Sequence, residues 1–335
     1  MKKLIYSVLA LAAMALTFPS CNDDAPEEVQ MTFMASLAQN ASSRALSDGG
    51  QINRVKCEVY EEVDGEKVKR TEEIVTFSDG SAEYTPTLLK GRTYTAVFFA
   101  YTEESYDVSN LQSVTRKKDN CNDEMMDAFS GVISNVNTEV TGTALTVTLT
   151  RPLSQLNFAT TADDIKNARK LLSTNGLKDE EPAMTLYTSS IKIAFMSSSY
   201  NVLEGKSNDE TVERVLSEAS IPTEAEKIEV NGTEYTVLAT TYLFPGETTT
   251  CYLNVYAASE EDNSDKILVN KRDWTLTYSN VPLLANTRTN VIGSLMTGNV
   301  PYEITLNTGF TGTEQNSGSD GNFPNPNEQE NENSN

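Results

Sequence analysis

Thr93-Tyr94-Thr95-Ala96-Val97-Phe98-Phe99-Ala100-Tyr101 is the stretch that decides the fold. It carries no charge and mixes aromatic, β-branched and small residues. Gly91-Arg92 precedes it and Glu103-Glu104 follows. A short apolar run so bounded reads as a strand buried on both faces, central in its sheet. Its neighbours read as partners. Val55 to Tyr60 alternates apolar and polar residues, and Asp64-Gly65 marks a hairpin turn before Val68 to Phe77. Asp79-Gly80 marks another turn, and Ala82 to Leu88 follows. Upstream, Val29, Met31, Phe33, Ala35 and Leu37 keep period two, with Met34 the one lapse, and define a first strand. Asn40 to Gly50 is polar and turn-rich. Downstream, Ser105 to Phe129 reads as a long polar excursion, and Val140 to Leu149 returns to alternation.

Arg151 to Thr160 opens a second β unit. Thr161 to Asn175 is the best helix: Thr161 or Asp163 can cap it, Ile165, Ala168, Leu171 and Leu172 share a face, and Gly176 can end it. Strands are expected at Met184 to Phe195, Lys227 to Val230, Tyr235 to Leu243, Cys251 to Ala258, Asp273 to Tyr278, Asn290 to Met296 and Tyr302 to Leu306, with Asn231-Gly232 a hairpin signal. Short strands at regular spacing argue for an all-β chain of two sandwiches with one helix in the second. From Thr311 onward Gly, Ser, Asn, Pro and Glu prevail, which predicts a disordered acidic tail over 313–335.

The N-terminus states an address. Lys2-Lys3 is followed by the apolar run Leu4 to Leu16 and by Phe18-Pro19-Ser20 before Cys21. This reads as a signal peptide over 1–20 that ends at a cysteine to be acylated, as by palmitate. The match resembles a lipobox, with Phe18 where Leu is more usual. The plain alternative is an ordinary signal with a chance cysteine. Each buried CH₂ of an acyl chain adds about 0.8 kcal/mol of membrane affinity, so several chains on one cysteine anchor stably. Residues 21–28 then form a lipidated acidic tether, Asn22-Asp23-Asp24-Ala25-Pro26-Glu27-Glu28. The expected place is outside the cytoplasm, tethered by lipid.

The chain has 335 residues and a net charge of -22; losing Lys2 and Lys3 with the leader deepens it to -24. Such a surface repels phosphate backbones, so nucleic acid is not an expected partner. Histidine is absent, which removes the commonest general base and zinc ligand. The motifs GxSxG, SxxK and HExxH are missing. No enzyme activity, cofactor or metal is expected. With Cys21 assigned to lipid, Cys57, Cys121 and Cys251 remain; a Cys57–Cys121 bridge is one possibility and buried free thiols are the other.

Five segments in order carry a resemblance. They are Met31-Thr32-Phe33 with Ser43-Arg44-Ala45-Leu46-Ser47-Asp48-Gly49; Thr93 to Ala100; Asp127-Ala128-Phe129-Ser130-Gly131; Leu149-Thr150-Arg151-Pro152-Leu153-Ser154-Gln155-Leu156-Asn157-Phe158; and Val281-Pro282-Leu283 through Asn286 to Gly293, ending in Phe310. Together they resemble the fimbrillin-like lipoproteins of Bacteroidales, the pilins, pilus anchors and related surface proteins of type V fimbriae. The resemblance implies two tandem transthyretin-like β-sandwiches, over 29–150 and 151–312. It implies that the acidic stretch after Cys21 is an export address to the cell's outer face. It also implies a role for Arg44-Ala45: a trypsin-like protease cuts after that arginine, and a strand from the next subunit fills the groove left by the leader strand. The plain alternative is a turn arginine in an uncut protein, since the same pair is common in members not known to polymerise.

Other candidates read as structure. Arg151 lies where one unit passes into the next, and its guanidinium suits carbonyls or carboxylates at that junction. Asp23-Asp24, Glu103-Glu104, Asp163-Asp164 and Glu260-Glu261-Asp262 read as solvated charge. Asp119, Asp123 and Asp127 repeat every fourth residue but lack the Gly of a calcium loop. Trp274, alternating with Leu276 and Tyr278, reads as core or interface, with a sugar-stacking platform the minor reading. The chain thus reads as a lipid-anchored pilus subunit, anchor or accessory protein in adhesion, with other pilus subunits and the outer membrane as partners. The alternatives are a monomeric surface lipoprotein binding a glycan or host ligand and, further off, a histidine-free glycosidase.

Overall fold

The computed structural model describes residues 26–37, 49–139, 142–174, 186–221, 227–258, 267–269, 274, 276–298, 301–308 and 315–321. The first half supplies β1 (Glu28–Gln30), β2 (Phe33–Leu37), β3 (Arg54–Val63), β4 (Glu66–Thr76), β5 (Ser81–Tyr84), β6 (Thr87–Leu89), β7 (Thr93–Tyr101), β8 (Tyr106–Asp107), β9 (Thr115–Arg116), β10 (Ala128–Asn137) and β11 (Leu145–Leu149). One sheet runs β10-β7-β3-β4 and a second runs β11-β2-β5, with β1 paired to β6 beside them. The apolar stretch around Phe98 is β7, held between β3 and β10. Asp64 (φ 54°) and Gly65 (φ 85°) make the β3–β4 turn as read. The inner faces of the two sheets meet in a core that includes Phe33, Tyr84, Cys57, Phe98 and Leu149.

The second half adds β12 (Ser154–Thr161), α1 (Ala162–Thr174), β13 (Leu186–Ser197), β14 (Tyr200–Asn201), β15 (Lys206–Ser207), β16 (Thr211–Ser220), β17 (Lys227–Val230), β18 (Thr233–Leu243), β19 (Thr248–Ala258), β20 (Ile267–Leu268), β21 (Thr277–Pro282), β22 (Thr287–Gly293), β23 (Tyr302–Thr308) and β24 (Gln315–Gly321). A sheet of order β17-β18-β12-β22-β23-β24 faces one of order β16-β13-β19-β20, which β21 joins through β19. Leu156, Phe158, Val291 and Ile304 from the first sheet pack on Ile191, Ile193, Leu253 and Val255 from the second. Helix α1 adds Ala168 to that core. Its first turn is capped by Thr161, whose Oγ1 accepts from Asp164 N at 3.2 Å. The architecture is two β-sandwiches with one helix among the described residues.

Several expectations need correction. The first strand is two short ones, β1 and β2, in one register against β6 and β5: Gln30 faces Thr87, Met31 N–H donates to Pro86 O at 3.0 Å and Phe33 faces Tyr84, and Pro86, with no N–H to give, interrupts the ladder between them. Ser105 to Phe129 is not a polar excursion: Tyr106, Val108, Leu111, Val114, Cys121 and Met126 are all buried. Two long strands were not anticipated, β10 and β16, whose Ser, Asn and Glu residues hide their alternation, nor were the two-residue strands β8, β9, β14, β15 and β20. Trp274 is outside any strand; it sits at φ 53° and its N–H donates to Asn254 Oδ1 at 3.1 Å. The tail is not wholly unstructured, since β24 pairs antiparallel with β23 inside it. Backbone bonding to an open edge suffices there without apolar side chains. The Cys57–Cys121 bridge does not form; the two thiols lie in different cores and, with Cys251, are free and buried.

Gly131, in the Asp127-to-Gly131 segment, has a packing reason. A Cβ there would sit 2.6 Å from Val147 Cγ2 and 3.0 Å from Leu149 Cδ2, so β10 approaches β11 only with glycine.

Burial pushes the Cys121 thiol up to about 12, and those of Cys57 and Cys251 higher still. A raised thiol stays protonated and unreactive at mildly alkaline pH. A disulfide-exchange reagent should therefore label none of the three in the folded protein and all three after denaturation. Rapid native labelling of any one would show that its core opens.

Candidate functional site: the leader strand and the junction

The leader is bonded through space along its whole length. β1 pairs with β6, Val29 opposite Leu88, and Lys90 Nζ holds the Glu27 carboxylate at 3.0 Å. β2 then lies between two strands, parallel to β11 (Phe33↔Leu145 to Leu37↔Leu149) and antiparallel to β5 (Phe33↔Tyr84 to Ser36↔Ser81). Met31, Phe33 and Ala35 point into the core, and the Phe33 ring stacks on Tyr84 with centroids 6.2 Å apart. Burying Phe33 is favourable by roughly 1.5–3 kcal/mol. The chain re-enters at Gly49, whose positive φ of 71° sets it against the Phe129 ring. Cys21, Arg44 and Ala45 lie outside the described residues, as do Asp23-Asp24 and Glu260-Glu261-Asp262.

The junction is built from 102–127. The outer face of β3, β7 and β10 offers Tyr60, Val97, Phe99, Tyr101 and Ala128; the second sandwich offers Leu153, Tyr200, Val202, Tyr242 and Phe244. Tyr106, Val108, Leu111, Val114 and Met126 fill the space between. The buried Glu58 carboxylate secures this filling. It accepts from Tyr60 Oη, from Lys69 Nζ at 3.2 Å and from Leu111 N at 3.2 Å. Burial, then the bond to Glu58, pushes the Tyr60 phenol far up.

The three aspartates spaced by four each serve this junction. Asp119 O accepts from Ser217 N at 2.7 Å, and its carboxylate holds Arg214 Nη1 at 2.8 Å, so the segment closes the free edge of β16. Asp123 Oδ1 caps a 3-10 turn at Met125 N, 3.0 Å. Asp127 meets Arg151 in a buried two-bond fork, Nε–Oδ1 2.6 Å and Nη2–Oδ2 2.7 Å, with the guanidinium 4.6 Å over the Phe129 ring. Asn122 bridges the two sheets of the second sandwich: its N–H donates to Thr240 O at 2.9 Å, its Oδ1 accepts from Thr240 N at 2.9 Å, and its Nδ2 donates to Ser189 Oγ at 3.1 Å. Arg116 donates to Tyr242 O. The sequence reading placed Arg151 at the junction and missed Arg116 and Asn122. No local signal marked them, because the apolar residues before them, Tyr106, Val108, Leu111 and Val114, keep no regular period.

Of the other described acidic residues singled out above, Asp163, Glu103 and Glu104 are exposed, as solvated charge is, and Asp164 departs from that reading. Asp164 is buried and accepts from Met296 N at 2.8 Å and Thr160 Oγ1 at 2.6 Å; Asp163 pairs with Lys166, and Glu103 with Arg54 at 2.9 Å. Among the described residues no three Cys, Asp or Glu side chains gather as a metal would need.

A model of a family described as "Family of unknown function (DUF6562)" matches residues 22–324. No curated protein matches the chain. Among solved structures, a fimbrial assembly protein from Parabacteroides distasonis is similar at 9% identity and a TM-score of 0.42, over 87% of this chain and 100% of that one. The tip fimbrial protein Mfa3 from Porphyromonas gingivalis, with C-terminal truncation, is similar at 10% identity and a TM-score of 0.39, over 87% and 99%. Likeness of this degree assigns no role to any residue.

Asp127→Ala would leave the Arg151 charge buried without its carboxylate, at a cost of about 3–5 kcal/mol. Urea unfolding should show that loss. The pair Asp127→Leu with Arg151→Met should lose less than the single change. Equal losses would mean the pair acts through packing alone.

Proposed function

As the chain belongs to DUF6562, a family of unknown function, we propose its role from its own residues: a non-enzymatic, lipid-anchored adhesion protein of the cell surface, serving as a pilus subunit, anchor or accessory protein. Cys21 carries the lipid and fixes the base. Two sandwiches joined through a packed junction form the body. Cleavage between Arg44 and Ala45 frees the leader, and a strand from a neighbouring copy takes its place by β-augmentation.

The observation that carries this reading is the position of β2. It is the middle strand of its sheet, and the residues after it include Arg44. Its loss would open a slot edged by unpaired β5 and β11 backbone and floored by Tyr84 and Phe98, a surface that demands another strand. The sequence resemblance and the signal-like N-terminus support the same reading. The absence of histidine and the burial of Asp164 among structural hydrogen-bond donors favour a mechanical role over a chemical one.

Limited trypsin treatment of the purified chain should cut after Arg44 and yield ladders that survive SDS without heating. Cut protein that stays monomeric would sink strand exchange. Separately, Cys21→Ala should move the protein out of the membrane fraction, and its retention there would refute the lipid assignment.

A further inference from the structure

The chain has a single tryptophan, and its backbone is strained. Trp274 sits at φ 53°, a left-handed conformation that a bulky side chain rarely adopts. Such strain persists where surrounding contacts over-determine it, and it gathers at binding sites. The contact here is Asn254. Its Oδ1 accepts from Trp274 N at 3.1 Å, and its Nδ2 donates to Tyr256 Oη at 3.0 Å. Asn254 is buried, while Trp274 and Tyr256 are each part-exposed. One buried amide thus sets two aromatic residues.

Both stand on the outer face of the second sandwich. β19 turns Cys251, Leu253, Val255 and Ala257 into the core, so Tyr252, Asn254 and Tyr256 point the other way. Tyr252 faces Lys192 on β13, and Lys192 faces Val215 on β16. Further along, Ile193 faces Arg214 and Met196 faces Val212, so Ala194 and Phe195 together oppose Glu213. This bulge turns Phe195 outward, and Phe195 N–H donates to Thr249 Oγ1 at 3.2 Å. Phe195 is 59% exposed and Val215 50%. Outward positions of a sandwich sheet are normally polar. This face instead carries Val215, Phe195, Tyr252, Tyr256 and Trp274.

Charge narrows the choice of ligand. The outward charges on these strands are Lys192, Glu213 and Glu218. Lys192 Nζ meets Glu213 at 3.3 Å and lies 5.3 Å over the Tyr252 ring, so its charge is already matched. Glu218, bonded by Thr188 Oγ1, stands at the rim. No positive charge is left over to call for an anion, and the chain's net charge of -22 repels one. Among the described residues nothing accepts the O–H of Tyr252 or of Tyr256.

We propose that this face binds an uncharged glycan, with sugar rings against Trp274 and the tyrosines. Each of these side chains joins an apolar body to a polar tip. A pyranose has the same two characters, an apolar C–H face and a rim of hydroxyls. The rings stack on the one, and the two phenols donate to the other. Tyr252 and Tyr256 lie four strand residues apart, about 13 Å. The face is therefore longer than one sugar and takes an oligosaccharide. The choice of a glycan rests on the surface-adhesion reading; the geometry of the face does not, and it is independent of strand exchange.

With one tryptophan in the chain, its fluorescence reports on this face alone. Cellohexaose, maltohexaose and mannohexaose should be titrated into the purified chain, with glucose and heparin beside them. At least one hexasaccharide should change the emission saturably, bind tighter than glucose, and bind equally at high salt, since no ion pair forms. Heparin should have no effect. Calorimetry with the sugar that binds should show affinity about tenfold lower or worse in Trp274→Asn and in Tyr252→Ala, with unchanged melting temperatures. Asparagine is chosen at 274 because it tolerates the left-handed backbone. Loss of stability in one variant leaves the other to decide. Failure of all three hexasaccharides, a stronger response to heparin, or full affinity in a folded variant would overturn the proposal. So would a dimer in sedimentation that Phe195→Ser dissolves, with no response to sugar; that result assigns the face to a second copy. Failure here with SDS-stable ladders intact would remove the glycan site alone; the reverse result would remove strand exchange alone.

Discussion

The covering of one sheet face by 102–127 is the constraint on which the rest of this structure depends. A β-sandwich normally buries the inner faces of its sheets and wets the outer ones. Here β3 and β7 are buried on both faces, so Lys56 and Glu58 lie under protein on the outer one, while Glu61, opposite Tyr94, is buried at the end of the inner one. Each then needs a partner, and the partners follow: Glu72 for Lys56, Tyr60 and Lys69 for Glu58, Arg70 and Arg92 for Glu61. The Asp127–Arg151 fork closes this segment against the start of the second sandwich. A buried ion pair adds little net stability over an apolar one of equal volume, but it tolerates few alternative arrangements.

The same segment also solves an edge problem. β16 is bonded to β13 on one side only, and an open edge invites another strand. Asp119 to Asn122 occupy that edge near Ser217 and reach across to Thr240 on β18. On another sheet edge, β4, protection comes from charge: Glu66, Lys67, Lys69, Arg70, Glu72 and Glu73 line a long exposed strand. Ile74, half exposed there, is isolated among them. Lys67, Lys69 and Arg70 stand at this edge, where Lys69 also meets Glu58 and Arg70 meets Glu61.

Legibility in the sequence followed from how locally each feature was determined. Hairpin turns are decided by adjacent residues, and Asp64-Gly65 and Asn231-Gly232 adopt the left-handed pairs they announced. β7 was legible because burial on both faces removes charge from the run itself. The helix was legible from its cap. By contrast β10 and β16 carry polar residues outward, and their strand character depends on partners far along the chain. The segment 105–129 was misread because its apolar residues keep no period; they fill a space defined only once both sandwiches exist. Trp274 was misplaced for a related reason: alternation with Leu276 and Tyr278 suggested a strand, yet its N–H is taken by Asn254. Arg151 was readable as a junction residue from its position, while its partner Asp127 had to come from the fold.

The topology of β2 has one further physical consequence. A hairpin strand is tied to its neighbour by a tight turn, so removing it tears the turn as well. β2 has no such tie. Its antiparallel neighbour β5 begins at Ser81 and its parallel neighbour β11 at Leu145, both distant along the chain. Parallel pairing itself requires a long crossover, so the bond between β2 and β11 is necessarily non-local. What holds β2 is then two ladders of backbone bonds and the insertion of Met31, Phe33 and Ala35. None of those interactions depends on the strand belonging to the same polypeptide. Any strand with apolar residues at the same alternate positions satisfies the same ladders and the same core, and a break in the chain after Leu37 would cost the remaining sheet no hairpin.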